Sequence, residues 1–245
     1  MCATCGCGEH DHKHHRHEND HLDNDQEKLV LLEKDVLHKN QLIAERNRGF
    51  FEARNIKAIN LLSSPGSGKT TLLEKTIKNT NNQYRFYVVE GDQQSCRDAE
   101  RIEKSGAKAF QVNTGKGCHL DANMVHRALH ELQLENDAFL IIENVGNLVC
   151  PAMFDLGEHK RAVIMSVTEG EDKPLKYPDI FCSADVCLIN KIDLLPYLDF
   201  DITEAEDYLH RVNPNMEILR LSTKTEEGME GWYHWLEREK LKLLV

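Results

Sequence analysis

The chain has 245 residues and a formal net charge of −11. That length suits one α/β domain with an appendage, and that charge gives no support to a nucleic-acid partner. No apolar run approaches the roughly 20 residues of a membrane-spanning helix, and the polar start does not resemble a secretory signal. Eight cysteines beside nucleotide-binding motifs indicate metal binding in a reducing compartment, so we expect a cytoplasmic protein.

The N-terminal tail, residues 1–27, is almost entirely polar and is predicted to be disordered without a ligand. Cys2, Cys5 and Cys7 have a C-x-x-C-x-C spacing that lets three thiolates face one ion. Such a set suits Ni²⁺ in a square-planar arrangement or Zn²⁺ in a tetrahedral one, unless the tail is incidental. The histidines that follow are His10, His12, His14, His15, His17 and His21. They form either a metal-storing tract or a solubilising one.

Residues 28–54 follow a helical pattern, and we expect this helix to pack on the domain after it. The apolar positions along one side are Leu29, Leu32, Val36, Ile43 and Phe50. In residues 55–245, candidate strands alternate with candidate helices, which predicts a mostly parallel sheet flanked by helices. The candidate strands are Ile56–Leu62, Arg85–Glu90, Ala107–Asn113, Ala138–Glu143, Arg161–Val167, Val186–Asn190 and Glu217–Leu221. The candidate helices are Thr71–Lys78, Cys96–Lys104, Asp121–Leu134, Thr203–Val212 and Gly228–Leu243.

Residues 63–71 read SSPGSGKTT, which fits the phosphate-binding pattern G-x-x-x-x-G-K-S/T except that Ser63 replaces the first glycine. The loop lies between a predicted strand and a predicted helix, so we interpret the domain as a P-loop NTPase rather than a tight turn with a chance lysine. Lys69 is expected to reach the β- and γ-phosphates, and the Thr70 hydroxyl to hold Mg²⁺. The predicted nucleotide-binding positions of the loop are Ser64, Gly66, Ser67, Gly68, Lys69, Thr70 and Thr71.

Acidic residues end two of the predicted strands. We expect Asp92 to be linked to Mg²⁺ and Glu143 to be an outer partner of the same ion, although both could be solvated strand ends. Together with Lys69 they are the candidate catalytic residues. The backbone N–H of Gly146 can sense the γ-phosphate, which makes residues 143–146 a candidate switch.

The sequence Asn190-Lys191-Ile192-Asp193 follows a predicted strand and has the N-K-x-D pattern of guanine-binding sites. The Asp193 carboxylate can accept from both the N1–H and the 2-amino group of guanine, which adenine does not offer. Lys191 is expected to lie over the base and Asn190 to tie neighbouring loops together. Ser222, just past the last strand, either supports the base or lies in a plain loop.

Three further metal-ligand residues come from two loops of the same domain. Cys118 and His119 precede a predicted helix, and Cys150 follows the candidate switch. Three such ligands leave a coordination position open, and two subunits could share the site. The alternative is that these cysteines only pack in the core, which is the role we assign to Cys182 and Cys187.

These segments together resemble the HypB family of nickel-incorporation GTPases, a group related to signal-recognition-particle GTPases. The resemblance covers nearly the whole chain and rests on C-x-x-C-G-C, SSPGSGKTT, EGDQQ, GKGCHLDA, ENVGNLVCPA, TEGEDKPLKYPDIF and NKID. It implies delivery of nickel to the large-subunit precursor of nickel–iron hydrogenase, with a HypA-like partner. It also implies a homodimer formed on GTP binding, with a metal site at Cys118, His119 and Cys150 and a tighter nickel site at Cys2, Cys5 and Cys7.

We therefore expect a slow, Mg²⁺-dependent GTPase that binds GTP or GDP and carries Ni²⁺, with Zn²⁺ as the alternative metal. The His-rich tail would add nickel storage. Two alternatives remain open. One is a nickel buffer whose GTPase activity is incidental, and the other is a different client enzyme such as urease.

Overall fold

The structure is a computed structural model that describes residues 17–92, 97–115 and 117–242. Its strands are β1 Lys57–Ser63, β2 Arg85–Asp92, β3 Lys108–Asn113, β4 Ala138–Glu143, β5 Lys160–Ser166, β6 Val186–Asn190 and β7 Glu217–Arg220. Its α-helices are α1 His17–Ala53, α2 Lys69–Thr80, α3 Arg97–Ser105, α4 Ala122–Leu132, α5 Lys173–Lys176, α6 Pro178–Cys182, α7 Ile202–Val212 and α8 Met229–Leu241. Two 3₁₀ helices span Cys150–Met153 and Ile192–Tyr197.

The strands form one seven-stranded sheet in the order β3-β2-β4-β1-β5-β6-β7. All of its pairings are parallel, so the predicted α/β architecture is confirmed. The three strands β1, β4 and β6 are buried along their whole length, as expected for strands covered by helices on both faces. Ligands of such sheets bind beyond the carboxyl ends of the strands, and this edge carries the site described below.

The two faces of the sheet pack into separate apolar clusters because successive side chains of a strand point to opposite faces. Ile59 and Leu61 lie in one cluster with Leu72 of α2. Ala58 lies in another cluster with Phe51 of α1. The helix that follows the phosphate loop is therefore anchored to the same strand that precedes the loop, which holds the loop between two buried elements.

Helix α1 differs from its prediction. It begins at His17 rather than Lys28, so residues 17–27 are helical where we expected a disordered segment. Leu32 and Val36 are exposed, and the expected packing of this part of the helix on the domain stays a prediction. The chain divides into a unit that ends at Lys39 and a second unit that runs from Asn40. Residues 1–16, including Cys2, Cys5 and Cys7, lie outside the described residues, and their metal site stays a prediction.

The two cysteines that we expected to pack in the core differ in their exposure. Cys187 is fully buried in β6, as expected, but Cys182 is exposed at the end of α6, so the prediction of a core position is wrong for Cys182. A short helix there turns the side chain outward, which the assumption of a strand had missed.

Across residues 17–92, 97–115 and 117–242, no helix combines the length and the apolar character needed to cross a bilayer.

Candidate functional site

The phosphate loop has the backbone shape that anion binding requires. Gly66 and Gly68 have positive φ angles of 75° and 108°, a region that residues with a side chain rarely occupy. A Cβ atom on Gly68 would lie 2.4 Å from Nδ2 of Asn190, so the neighbouring loop also demands glycine there. Helix α2 begins at Lys69, and its N-terminal amides therefore open onto the loop.

Ser63, which replaces the first glycine of the motif, has a defined contact. Its Oγ accepts from the ammonium of Lys69 at 2.7 Å and donates to the carbonyl oxygen of Ser64 at 2.6 Å. Lys69 is only 9% exposed, and this burial lowers its pKa, while the charges of Glu143 and Glu90 oppose the shift. Ser63 therefore fixes the position of the Lys69 ammonium beside the phosphate loop.

Two carboxyl groups lie side by side below the phosphate loop. Glu90 and Glu143 are direct partners in the pairing of β2 with β4, and both are buried. Burial raises the pKa of Glu90, and the neighbouring Glu143 charge and hydrogen bond add to the rise. Burial also raises the pKa of Glu143, but the charge of Lys69 and the hydrogen bond that Glu143 accepts from the Thr70 hydroxyl at 2.8 Å oppose this rise. Glu90 therefore keeps its proton more readily than Glu143 does.

The sequence predicted no role for Glu90 and indicated Asp92, two residues later, instead. The only signal for Glu90 in the sequence was its place at the end of a predicted strand. Asp92 ends β2, but its side chain lies outside the described part of the structure, so its link to Mg²⁺ stays a prediction. Glu143 and Thr70, by contrast, are in direct contact.

This pair of carboxyl groups fits an Mg²⁺ ion. Among the described residues, Oε2 of Glu90 and Oε2 of Glu143 are both buried and have no hydrogen-bond partner. Unpaired buried oxygens are costly, and Mg²⁺ with its bound waters prefers carboxylate and hydroxyl oxygens. A cavity of about 560 Å³ adjoins them and is also lined by Thr70, Asp98 and Arg101. Asp98 and Arg101 come from α3 and carried no recognisable motif.

The predicted base-binding segment is joined to the phosphate loop. The Asn190 side chain donates to the carbonyl oxygen of Ser67 at 2.8 Å, and its Oδ1 accepts from the backbone N–H of Lys191 and of Thr223. This is the loop-tying contact that we expected of Asn190. Lys191 donates to the carbonyl oxygen of Gly66 at 2.7 Å, so its side chain crosses from the base loop to the phosphate loop.

Asp193 is oriented by Ser222. The Ser222 hydroxyl donates to Oδ1 of Asp193 at 2.6 Å. The same hydroxyl oxygen accepts from the backbone N–H groups of Lys224 and Thr225, so its only proton is committed to the carboxylate. Ser222 thus positions the side chain that is expected to read guanine, which favours the supporting role over a plain loop.

The three predicted metal ligands of the domain come together. Ligand atoms of Cys118, His119 and Cys150 all lie within 4.8 Å of one another. A hydrogen bond that the Cys118 thiol donates to Cys150, together with burial, raises the pKa of Cys118. The His119 ring stacks on Phe154 with 4.0 Å between ring centroids, which fixes the imidazole plane. Two thiols and one imidazole suit Ni²⁺ or Zn²⁺ and leave room for a further ligand.

Two asparagines join this metal-ligand cluster to the candidate switch. Asn144 is almost fully buried, and its Oδ1 accepts from the backbone N–H of Leu120 at 3.1 Å and of Val145 at 3.0 Å. The Asn147 amide donates to the carbonyl oxygen of Cys118 at 3.4 Å. Gly146, in the same segment, lies against the phosphate loop, because a Cβ atom on it would be 3.0 Å from Cα of Pro65. The switch segment therefore touches both the nucleotide loop and the metal loop.

Comparison with known proteins agrees with this geometry. Residues 57–220 match the family described as CobW/HypB/UreG, nucleotide-binding domain. The hydrogenase maturation factor HypB of Azotobacter chroococcum mcd 1 is 55% identical over 215 residues, which are 88% of this chain and 70% of that protein. The structure of HypB from Helicobacter pylori in complex with nickel has a TM-score of 0.80 at 39% identity, over 83% of this chain and 96% of that one. Signal recognition particle 54 kDa protein from Aeropyrum pernix K1 in complex with GDP is 15% identical with a TM-score of 0.51, over 76% of this chain and 49% of that one, and shares the fold alone.

Proposed function

The chain belongs to the CobW/HypB/UreG family, and within it to the HypB hydrogenase maturation factors, and we propose that it is an Mg²⁺-dependent GTPase that delivers nickel to the large-subunit precursor of nickel–iron hydrogenase. The observation that carries this proposal is the contact of one short segment, residues 144–147, with both the phosphate loop and the metal-ligand loop. A nucleotide-controlled metal carrier needs such a connection.

The nucleotide half of the proposal follows from the side chains at the carboxyl edge of the sheet. Asp193 selects guanine, and Lys69 with the loop amides stabilises the charge that develops on the transferred phosphoryl group. Bound Mg²⁺ would neutralise the β- and γ-phosphate oxygens, and Thr70 and Glu143 are the residues that would hold it, directly or through water. We expect hydrolysis to be slow, and GTP binding to favour a dimer.

The metal half of the proposal concerns the cargo. Ni²⁺ would bind Cys118, His119 and Cys150, with Zn²⁺ as the competing occupant, and GTP would favour a homodimer in which the metal site lies at the subunit interface. A nucleotide can change metal affinity only if the two nucleotide states differ in their metal contacts. The contact of Asn144 with Leu120, one residue after His119, provides a physical route for such a difference.

Nickel affinity in the two nucleotide states tests the proposal. A variant that lacks residues 1–16 removes the predicted tail site and leaves helix α1 in place. We expect its nickel dissociation constant to differ at least about 5-fold between a non-hydrolysable GTP analogue and GDP, the lower end of typical allosteric coupling. Equal affinity and equal release rate in both states would exclude a nucleotide switch. Cys150→Ser should abolish the effect, whereas Cys182→Ser, a change at an exposed thiol outside the cluster, should preserve it.

The tail and the partners form a second layer of the proposal. Residues 1–27 would hold nickel most tightly at Cys2, Cys5 and Cys7 and store more on the histidines, and a HypA-like accessory protein would work with this chain in the cytoplasm. Thiolate coordination of Ni²⁺ gives a charge-transfer absorption band. That band should largely disappear when residues 1–16 are removed, and an unchanged band would assign the tight site to Cys118 and Cys150 instead.

A further inference from the structure

A pair of histidines lies on α4, outside the metal-ligand cluster. His126 and His130 are separated by one helical turn, so their side chains share one face of the helix. Their ring centroids are 5.0 Å apart, and the ring planes are nearly perpendicular. His126 is half-buried and His130 is exposed. Imidazoles at this spacing on a helix are a common pair of ligands for a divalent cation.

The orientation of His126 is fixed by Asn47 of α1. The Asn47 amide nitrogen donates to two carbonyl oxygens, those of Ala122 at 2.9 Å and Leu156 at 3.1 Å. Both amide protons are therefore used, and Oδ1 is the atom that faces Nδ1 of His126 at 3.0 Å. Since this oxygen can only accept, Nδ1 of His126 must carry a proton and donate it.

This hydrogen bond leaves the other ring nitrogen of His126 available. Burial lowers the pKa of His126, and the charges of Arg46 and His130 lower it further, so the ring is neutral at physiological pH. A neutral imidazole with a protonated Nδ1 has its lone pair on Nε2. Histidines that bind metals commonly donate their second N–H to an oxygen in this manner, which fixes both the tautomer and the direction of the lone pair. Asn47 is completely buried, so its position is itself fixed.

We propose that His126 and His130 form a second cation site, which holds a borderline divalent ion such as Ni²⁺ through two imidazole nitrogens with water as the remaining ligands. The site needs neither GTP binding nor the cluster at Cys118. Because thiolates hold Ni²⁺ more tightly than two imidazoles do, this pair fills after the thiolate sites. Helix α4 begins at Ala122, just past the Cys118–His119 loop, and His126 lies about 6 Å of helix rise further on. The pair is thus placed to hold nickel next to the cluster that receives it.

Protection from chemical modification tests the site in the full-length chain, despite the other histidines. Diethyl pyrocarbonate acylates neutral imidazoles, and trypsin cleaves at Arg127, so the modification of His126 and of His130 can be measured on separate peptides. We expect Ni²⁺, titrated beyond the amount that fills the thiolate sites, to protect both residues with the same midpoint. The exposed His234 serves as the internal reference and should keep its reactivity.

Two variants separate a cation site from a purely structural role for His126. His130→Asn, a change at an exposed position, should raise the nickel concentration that half-protects His126 by about 10-fold or more, because the chelate becomes a single ligand. Arg46→Gln should lower that concentration about 2- to 5-fold, since the exposed Arg46 charge repels the ion through water. Protection of His126 that does not exceed that of His234, or that is unchanged by His130→Asn, would overturn the proposal and leave His126 as a support for Asn47.

Discussion

Replacement of Asp193 by Asn tests the guanine site most directly, because the structure defines how the new amide must sit. The Ser222 hydroxyl donates its proton to Oδ1 of Asp193, while its oxygen already accepts from Lys224 and Thr225. An asparagine at 193 must therefore turn its oxygen toward Ser222. Its amide nitrogen then takes the place of Oδ2 and presents two N–H groups to the base.

The size of the effect follows from the hydrogen bonds that change. Guanine loses one charge-assisted bond, worth about 1.5–3 kcal/mol, and one of its N–H groups is left facing another donor, at a cost of about 1–3 kcal/mol. A combined loss of about 2.5–6 kcal/mol corresponds to GDP or GTP binding that is about 10²- to 10⁴-fold weaker. Xanthine carries a carbonyl where guanine carries the 2-amino group, so the new amide can donate to it. The variant should therefore prefer xanthosine nucleotides.

Equilibrium titration with fluorescent GDP and XDP measures both halves of this prediction. Asp199→Asn is the matched control, because Asp199 is an exposed aspartate of the same loop region and its replacement removes the same charge. GDP affinity that survives Asp193→Asn within about 3-fold would refute the assignment of Asp193 to the base. A loss of GDP affinity with no gain for XDP would point instead to collapse of the loop that Ser222 supports.

Three other predictions concern the phosphate loop and the folded state. Gly68→Ala places a Cβ 2.4 Å from Asn190 Nδ2 and should weaken GTP binding by at least about 10-fold. The control Gly49→Ala, where a Cβ in α1 meets no atom within 4 Å, should leave GTP binding unchanged and raise the melting temperature slightly. Thr70→Val removes the hydroxyl that donates to Glu143 and should raise the Mg²⁺ concentration needed for GTP hydrolysis about 10-fold or more, with GDP affinity without Mg²⁺ unchanged. Burial lowers the pKa of His159 to about 4. The free energy of unfolding should therefore decrease as the pH is lowered from about 6.5 to 4, because only the unfolded chain takes up the proton in this range. His159→Gln should make this pH dependence less steep, as measured by urea titrations at several pH values.

The fold and most of the nucleotide site could be predicted from the sequence because each depends on local patterns. Continuous apolar runs indicated the buried strands, and glycine with lysine at a fixed spacing indicated the phosphate loop. Glu90 was missed because its partner, Glu143, is distant in the chain. Only the register of β2 against β4 makes the two carboxyl groups neighbours, and a single sequence carries no sign of that register.

Other errors have equally physical causes. The start of α1 was predicted too late in the chain. The helix was recognised by a periodic pattern of apolar residues, and the polar segment at its start has no such pattern. Asn144 and Asn47 carried no motif at all. Their roles depend on which backbone groups lie within about 3 Å of a side-chain amide, and only the structure supplies that information.

Asn144 provides the sharpest test of how the nucleotide could act on the metal. Its Oδ1 accepts from both Leu120 and Val145, so movement of residues 144–146 toward the γ-phosphate must carry Leu120 along or break a buried hydrogen bond at about 1–3 kcal/mol. Movement of Leu120 displaces the adjacent His119. Asn144→Ala removes this link without touching a ligand, and we expect it to reduce the GTP-dependent difference in nickel affinity to less than about 2-fold. Nickel affinity with GDP bound should stay within about 3-fold of the unmodified chain, since the cluster itself is intact. A full nucleotide effect on nickel binding in a folded Asn144→Ala variant would show that the coupling runs through the contact of Asn147 with Cys118 or through Cys150 instead.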